Sequence, residues 1–207
     1  TRGSSSVSFP LTVKYKSPFA DTDGHWAEKY ILDLYRQGIL TGVETGGKLY
    51  ANPDKGVTRA EFAVLLARYI GIDAAQYASA EAPFPDLGPV ESWAGGAIRA
   101  MHSMGIVNGT ERGGRIVFDP GGTLTRAGAV TMLGRLLAQL EKSEPAARMD
   151  LSRFADADTI PDYAQEYFEI LTAADAIDAV DGGKLAPYDT MTRAVICKAL
   201  VILKESF

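Results

Sequence analysis

A short motif at the start of a helical pattern recurs twice at a constant interval. Its three copies read VTRAE, LTRAG and MTRAV, and they contain Arg59, Arg126 and Arg193. Successive arginines are separated by 67 residues in both intervals. Recurrence at a constant interval indicates one structural unit present in several copies. A single unit of roughly 55 residues is marginal for burying a core alone, so we expect the three to share one.

The first copy of the motif fits a capping box. Thr58 is the predicted N-cap, and Glu61 stands three residues later, where each side chain can satisfy a backbone N–H group of the other. Gly128 and Val195 take the position of Glu61 in the other copies. Threonine and arginine therefore recur while the glutamate does not, which draws attention to the arginine at the first helical position.

The same series of patterns precedes each copy of the motif. It consists of a Phe-x-Asp segment, an amphipathic helix, a turn, a short extended piece and a proline. We assign residues 19–75 to module 1, 84–141 to module 2 and 154–207 to module 3, preceded by an arm over residues 1–18. The arm is predicted to be extended, because its apolar residues alternate with polar ones. These apolar residues are Val7, Phe9, Leu11, Val13 and Tyr15.

The second helices of the modules place apolar residues at matching positions. Two layers of three residues are predicted to meet at the centre of the molecule. They are Leu66, Leu133 and Leu200, and Ala63, Val130 and Cys197. Cys197 is therefore interpreted as a small buried hydrophobic residue. As the only cysteine, it also excludes a disulfide within the chain.

Composition excludes several classes of function. The formal net charge of −5 argues against a nucleic-acid partner, because no surplus of basic residues would neutralise phosphates. Since no run of 18 apolar residues occurs, we expect no membrane span. No catalytic motif brings a nucleophile and a base together, so an enzyme is not expected. The segment with Asp21, Asp23 and Gly24 resembles the start of a calcium loop but lacks the remaining ligands, so no metal or cofactor is expected.

The ordered segments resemble the surface-layer homology module of cell-wall-anchored proteins from Gram-positive bacteria. FADTDGHWA, GILTG and TRAE in module 1, and FPDLGPVESWA, GIVNG and LTRA in module 2, carry the resemblance, which covers residues 19–207. It implies a mainly α fold, with three helix-loop-helix modules in a pseudo-threefold spindle around a shared central helical bundle and short extended pieces in the loops. It also implies a monomer that forms an intramolecular pseudo-trimer.

The resemblance further implies a noncatalytic anchor secreted to the bacterial cell wall or S-layer. The first residues of the sequence, TRGSSSVS, lack the apolar region of a signal peptide, but a secreted protein whose signal had been removed would look the same. The implied partner is a secondary cell-wall polysaccharide that carries pyruvylated N-acetylmannosamine. The implied sites are grooves between adjacent modules.

The three arginines are the first candidate ligands for such a polymer. A helix N-terminus offers free N–H groups and partial positive charge, and a guanidinium fits the pyruvyl carboxylate in bidentate fashion. Arg59, Arg126 and Arg193 would then bind the ligand. Arg59→Ala or Arg126→Ala would abolish binding and leave the thermal stability nearly unchanged. The alternative is a structural or protein-interaction module, in which the arginines pair with carboxylates such as Asp21 or Asp86 and only tie modules together.

Six further residues are candidates, each with a structural alternative. Gly42 and Gly109 would admit a sugar or serve as turn residues, and Val180 would impair the third groove at the same position. Trp26 and Trp93 would stack on a sugar or pack in the core. Asp21 and Asp86 would accept sugar hydroxyls or serve turns, as would Asp156.

Two local predictions concern the start of module 1 and the histidines. Asp23 is predicted to cap a helix that starts near Gly24. His25 and His102 lack a partner at metal-ligand spacing and are interpreted as surface or capping residues.

Overall fold

The computed structural model describes residues 16–140 and 147–206. It is mainly α-helical, with two short hairpins. The helices are α1 (Glu28–Arg36), α2 (Arg59–Tyr69), α3 (Gly96–Ser103), α4 (Arg126–Gln139), α5 (Asp162–Ala173) and α6 (Arg193–Ser206). The antiparallel hairpins pair β1 (Val43–Thr45) with β2 (Lys48–Tyr50) and β3 (Thr110–Arg112) with β4 (Arg115–Val117). The predicted fold class is confirmed.

Each module packs its helices against those of its neighbours. Helix α2 of module 1 packs against α3 of module 2, α4 packs against α5 of module 3, and α6 returns to pack against α1. The packing of helices between modules is therefore circular, and the circle is complete only when all three modules are present. A helix must bury its apolar face against another element, and here that element belongs to a different module.

A ring of three backbone hydrogen bonds marks the pseudo-threefold axis. The N–H of Val57 donates to the carbonyl of Met191 (3.0 Å), Met191 donates to Leu124 (2.8 Å), and Leu124 donates back to Val57 (2.9 Å). All three side chains are buried. The loops before the three repeated helices are thus joined at the centre of the molecule.

The second helices bury the residues that their apolar pattern predicts to be core. Leu66, Leu133 and Leu200 have no exposed surface, and Cys197 is 1% exposed. Ala63 and Val130 complete the second layer and are also fully buried. This packing confirms the interpretation of Cys197 as a core residue.

The helix starts confirm one capping prediction and correct another. Thr58 accepts from the N–H of Glu61, whose carboxylate accepts from the N–H of Thr58, so the capping box is present. The prediction for Asp23 was wrong, because α1 begins only at Glu28. The Nδ1 atom of His25 instead accepts from the N–H of Ala27, the residue before this helix, at 3.1 Å.

Some predicted segments lie outside the described residues. These are residues 1–15 of the predicted arm and the polar linker at Lys142, Ser143, Glu144 and Pro145. Within the described part of the chain, no helix has the length and apolar character needed to cross a bilayer.

Burial is expected to make the thiol of Cys197 unreactive in the folded protein. Desolvation raises the pKa of its thiol from an ordinary value of 9.0 to about 12. We expect the native protein to react with iodoacetamide at pH 8 roughly a hundredfold more slowly than the urea-unfolded chain, since alkylation needs both exposure and the thiolate. Mass spectrometry of quenched samples measures the two rates.

The same shift predicts a loss of stability in alkaline solution. Between pH 9 and 12 the unfolded thiol loses its proton while the folded one keeps it, so the free energy of unfolding falls as pH rises. Cys197→Ala should unfold with a shallower pH dependence in this window. Equal slopes for the two proteins, or rapid alkylation of the native thiol, would contradict a buried neutral Cys197.

Candidate functional site

Three equivalent aspartates fix the loops that precede the repeated helices. Asp21 accepts the N–H groups of Ala51 (2.8 Å) and Asn52 (2.7 Å) through its two carboxylate oxygens. Asp86 and Asp156 bind the corresponding N–H pairs of modules 2 and 3. Asn52 has a φ of 51°, which is unfavourable for a residue with a side chain. These charge-assisted bonds stabilise that turn, so the aspartates have the turn role that the sequence left open.

The N-termini of the repeated helices are capped by the neighbouring module. The N–H of Arg59 donates to the carbonyl of Gly122 (3.1 Å), and the N–H of Ala60 donates to Pro120 (3.1 Å). The same pairs of bonds join α4 to module 3 and α6 to module 1. Because these donors are occupied, the expectation of free N–H groups for a ligand carboxylate was wrong. An anion must be met by side chains instead.

The three recurring arginines also bind the neighbouring module. Each donates its Nε–H to a backbone carbonyl at 2.7 Å. The pairs are Arg59 with Phe118, Arg126 with Leu185, and Arg193 with Ala51. The sequence-based alternative proposed carboxylate partners such as Asp21 and Asp86, and that detail was wrong. The carboxylates hold the N–H groups of the loop, and the arginines hold its carbonyls.

The remaining donors of the arginines differ. Nη2 of Arg126 donates to the carbonyl of Asp178 (2.6 Å), and Nη2 of Arg193 donates to that of Thr41 (2.9 Å). Among the described residues, Arg59 donates hydrogen bonds only through Nε. Burial lowers the pKa of Arg59, and the nearby carboxylate of Asp119 opposes this shift. Arg59 thus offers a partly desolvated guanidinium whose Nη atoms remain open to a ligand.

The module 1 groove is a crevice that takes groups from all three modules. Module 1 contributes the loop over residues 40–43 and one face of α2, including Glu61 and Arg68. Module 2 contributes Trp93, and module 3 contributes Arg193. Its volume is about 190 Å³.

The module 2 groove is its counterpart one module along. The loop over residues 106–110 and one face of α4 form its wall, with Gly128 and Arg135 at the positions of Glu61 and Arg68. Arg59 of module 1 and Tyr163 of module 3 complete it. Its volume is about 310 Å³, within the range of roughly 300–1,000 Å³ usual for small-molecule sites.

The aromatic residues of these grooves stand in solvent. Trp93 is 51% exposed and Tyr163 is 58% exposed. Trp26, at the equivalent position of module 1, is 53% exposed and lies before α1 rather than within it. The interpretation of Trp26 and Trp93 as core residues was therefore wrong. The exposed rings of Trp93 and Tyr163, each beside a crevice, favour stacking on a ligand.

The two glycines line the grooves for a packing reason. A Cβ atom on Gly42 would approach the Phe19 ring to 2.7 Å, and one on Gly109 would approach the Phe84 ring to 2.6 Å. Gly109 also has a φ of 72°, whereas Gly42 does not need positive φ. Close approach is thus the requirement that both positions share.

The alignment of Val180 with these glycines was wrong by one residue. Ile39 and Ala176 each donate an N–H to the last turn of the preceding helix, to Leu34 and Leu171 respectively. Counting three residues onward places Ala179 at the position of Gly42. A Cβ atom is present there in either alignment.

Module 3 differs where its groove would form. Arg126 is only 4% exposed, and both its Nε and its Nη2 are bound to carbonyls. Lys198, at the position of Val64 and Thr131, forms an ion pair with Asp178. Ile202 replaces the second arginine. The cationic side chains at this position are therefore satisfied within the protein.

Comparison with known families identifies the architecture. The model of the S-layer homology domain matches three tandem segments, residues 18–63, 83–129 and 153–194. The chain belongs to the S-layer homology domain family. It is therefore a cell-surface, cell-wall-associated protein of the kind that anchors to the cell wall.

Similar proteins contain the matching region as a small part of a longer chain. An endoglucanase of Bacillus sp. strain KSM-635 is 30% identical over 90% of this chain and 18% of its own length. Cell surface glycoprotein 1 of Acetivibrio thermocellus is 30% identical over 69% of the chain and 6% of its own length. An S-layer protein of Bacillus thuringiensis subsp. finitimus is 26% identical over 96% of the chain and 22% of its own length. This chain thus spans less than a quarter of each relative.

The S-layer homology grooves bring together some predicted site residues and not others. Gly42, Trp93 and Arg193 meet in one groove, and Gly109 meets Arg59 in the other. Asp21 and Asp86 lie behind the loops, bound to backbone. Arg126 is buried, and Trp26 lines neither of these two grooves.

Several groove residues were missing from the predicted site. Arg68 and Arg135 line equivalent positions, and Tyr163 takes the place of Trp93. Arg68 and Arg135 are 67 residues apart, so the repeat itself contained the signal that could have revealed them. The sequence comparison considered the motif at the start of the helix and did not extend to the third turn of the same helix.

Proposed function

We propose that the module 1 and module 2 grooves bind an anionic sugar of the cell-wall polysaccharide, and that this sugar is a pyruvylated N-acetylmannosamine unit. The observation that carries the proposal is the recurrence, in both grooves, of two arginines from different modules beside an exposed aromatic ring. The protein would act as a noncatalytic anchor for whatever sequence accompanies it.

The chemistry of the grooves suits a pyruvyl ketal on a pyranose ring. The ketal carries one carboxylate, which a guanidinium binds through two parallel hydrogen bonds. The pyranose has an apolar face that Trp93 or Tyr163 can cover while the polar atom of the ring stays hydrated. A preformed groove with a fixed cation loses little conformational freedom on binding, which favours recognition of a single sugar.

The structural alternative is compatible with this proposal. The Nε bonds of the arginines tie modules together, whereas Arg59 also lines the module 2 groove and donates no hydrogen bond from its Nη atoms to the described residues. One side chain can therefore serve both purposes. The module 3 position is proposed to bind weakly or not at all, because Lys198 and Arg126 already have internal partners.

The test removes groove cations that hold no module together. In the double variant Arg68→Ala/Arg135→Ala, the affinity for the methyl glycoside of pyruvylated N-acetylmannosamine should fall at least tenfold, or about 1.4 kcal/mol or more. Isothermal titration calorimetry measures the affinity and the stoichiometry, for which we expect two sites. The unpyruvylated glycoside should bind far more weakly to the unmodified protein.

An arginine outside the grooves provides the control. Arg115 is exposed on β4, and Arg115→Ala should leave the affinity unchanged. Unaltered binding by the double variant would refute the proposed site, and equal affinity for the two glycosides would refute the proposed specificity. Three equal sites would contradict the expected closure at module 3.

A further inference from the structure

The two open grooves differ at the third position of the helix that forms their wall. The module 1 groove is lined there by Glu61, and the module 2 groove by Gly128. The carboxylate of Glu61 cannot leave freely, because one oxygen accepts the N–H of Thr58 at 2.8 Å. A fixed negative charge therefore lines one groove and is missing from the other.

The difference changes the charge available to a ligand. Among the residues that line the module 1 groove, Arg68 and Arg193 are opposed by Glu61. No acidic residue is among those that line the module 2 groove with Arg59 and Arg135, and the carboxylate of Asp119, which acts on Arg59, lies outside that lining. Charges at a protein surface interact more strongly than in bulk water, because the effective dielectric constant there is lower. One carboxylate is thus enough to separate the affinities of the two grooves for an anion.

The groove with the greater positive charge among its lining residues also has the larger volume. The volume is about 310 Å³ where glycine stands and about 190 Å³ where glutamate stands. The module 2 groove therefore has the greater positive charge among its lining residues and the larger volume.

We propose that Glu61 and Gly128 are specificity-determining residues that divide the two grooves between ligands of different charge. The module 2 groove is the high-affinity site for anionic sugars, and it accepts a unit with a second anionic group, such as a further carboxylate or a phosphate. The module 1 groove accepts a unit with one anionic group and disfavours a second. The inference rests on the proposed function, because it concerns which sugars the same grooves select.

The test exchanges charge between the grooves without removing the helix cap. Gln can take the place of Glu in a capping box, so Glu61→Gln removes charge and retains the bond to Thr58. Gly128→Glu introduces the charge, and Gly128→Gln introduces the same bulk without it. Trp93→Ala weakens the module 1 groove and Tyr163→Ala the module 2 groove, so each background reports mainly on the other groove. The probe is the methyl glycoside of pyruvylated N-acetylmannosamine.

The expected results have opposite signs in the two grooves. In the Trp93→Ala background, Gly128→Glu should bind the probe about threefold to tenfold more weakly than Gly128→Gln. In the Tyr163→Ala background, Glu61→Gln should raise the affinity by a similar factor. Both effects should shrink as the salt concentration rises from roughly 0.01 M to 1 M, because exposed charges are then screened. Phosphorylation of the same glycoside should increase the preference for the module 2 groove.

The outcomes separate this inference from the proposal on which it rests. If the unmodified protein does not bind the probe, the proposed function fails. If the probe binds but Gly128→Glu and Gly128→Gln weaken it equally, bulk rather than charge decides and the inference is overturned. Unaltered affinity in Glu61→Gln would overturn it as well. Misfolding is detected by circular dichroism and thermal unfolding of each variant. These controls matter for both Gly128 variants, because a Cβ atom there would lie 3.2 Å from Oγ1 of Thr125.

Discussion

A chain that ends at Leu140 will show no cooperative unfolding transition. Module 3 supplies α5, which packs against α4, and α6, which packs against α1. It also supplies the carbonyls of Pro187 and Asp189 that cap α4. Its removal exposes apolar faces on both remaining modules and leaves the hydrogen-bond ring at Val57 and Leu124 open. Each loss alone costs a few kcal/mol, and together they are comparable to the whole stability of a typical protein.

Urea unfolding followed by circular dichroism measures this effect. The chain of residues 1–207 should give one sigmoidal transition, and the shortened chain should lose helical signal gradually. Addition of a peptide with residues 147–207 should restore a transition if the contacts are the cause. A sharp transition in the shortened chain alone would contradict the circular exchange of helices as the basis of stability.

The second large effect is expected for Arg126→Ala, which should lower the free energy of unfolding by about 2–4 kcal/mol. The side chain is 4% exposed and donates to two carbonyls of module 3, at Leu185 and Asp178. Its removal leaves these carbonyls without their charged donor. For a chain of this size the melting temperature should fall by roughly 5–15 °C. This expectation replaces the sequence-based one of nearly unchanged thermal stability.

Two matched variants test the cause. Arg59→Ala loses one hydrogen bond, that of Nε to Phe118, so the cost should be about 1–2 kcal/mol. Arg126→Lys keeps the charge but loses the planar fork, and it should be destabilised nearly as much as Arg126→Ala. Equal stability of Arg126→Ala and the unmodified protein in urea would show that the inter-module bonds contribute nothing net.

These expectations give the recurring arginine two separable roles. Nε faces a carbonyl of the neighbouring module in all three copies, which explains why the residue recurs even at the closed module 3 position. Binding is proposed to depend on the Nη atoms, whose freedom differs between copies. Stability measurements therefore report on the hydrogen bonds of Nε, and ligand titration reports on the Nη atoms.

Exposure of the aromatic residues shows why one pattern misled the sequence analysis. Trp26 stands at helical spacing from Ile31 and Tyr30, which predicts a buried face, but α1 begins after it. Periodicity assigns a face only to residues that lie inside the helix. Trp26 lies in a turn before α1, and Trp93 lies in the π-helical segment Glu91–Gly95 that leads into α3, so the spacing of an α-helix applies to neither.

The sequence by itself determined the features that depend on local interactions and on repetition. The 67-residue interval, the Thr58 cap and the apolar faces of the second helices specified three related units, a mainly α fold and a buried Cys197. These signals arise from hydrogen bonds and burial within a few turns of chain, so they are readable along the sequence.

Only the tertiary structure decided how the units close and what each groove contains. The module 1 groove gathers Trp93, Arg193 and Glu61 from three modules, and residues 61 and 193 are far apart in the chain. The tertiary structure also showed that the helix N-termini are occupied by carbonyls of the neighbouring module, and that Ala179 rather than Val180 matches Gly42. Such contacts depend on the circular packing of all three modules, and no local preference specifies them.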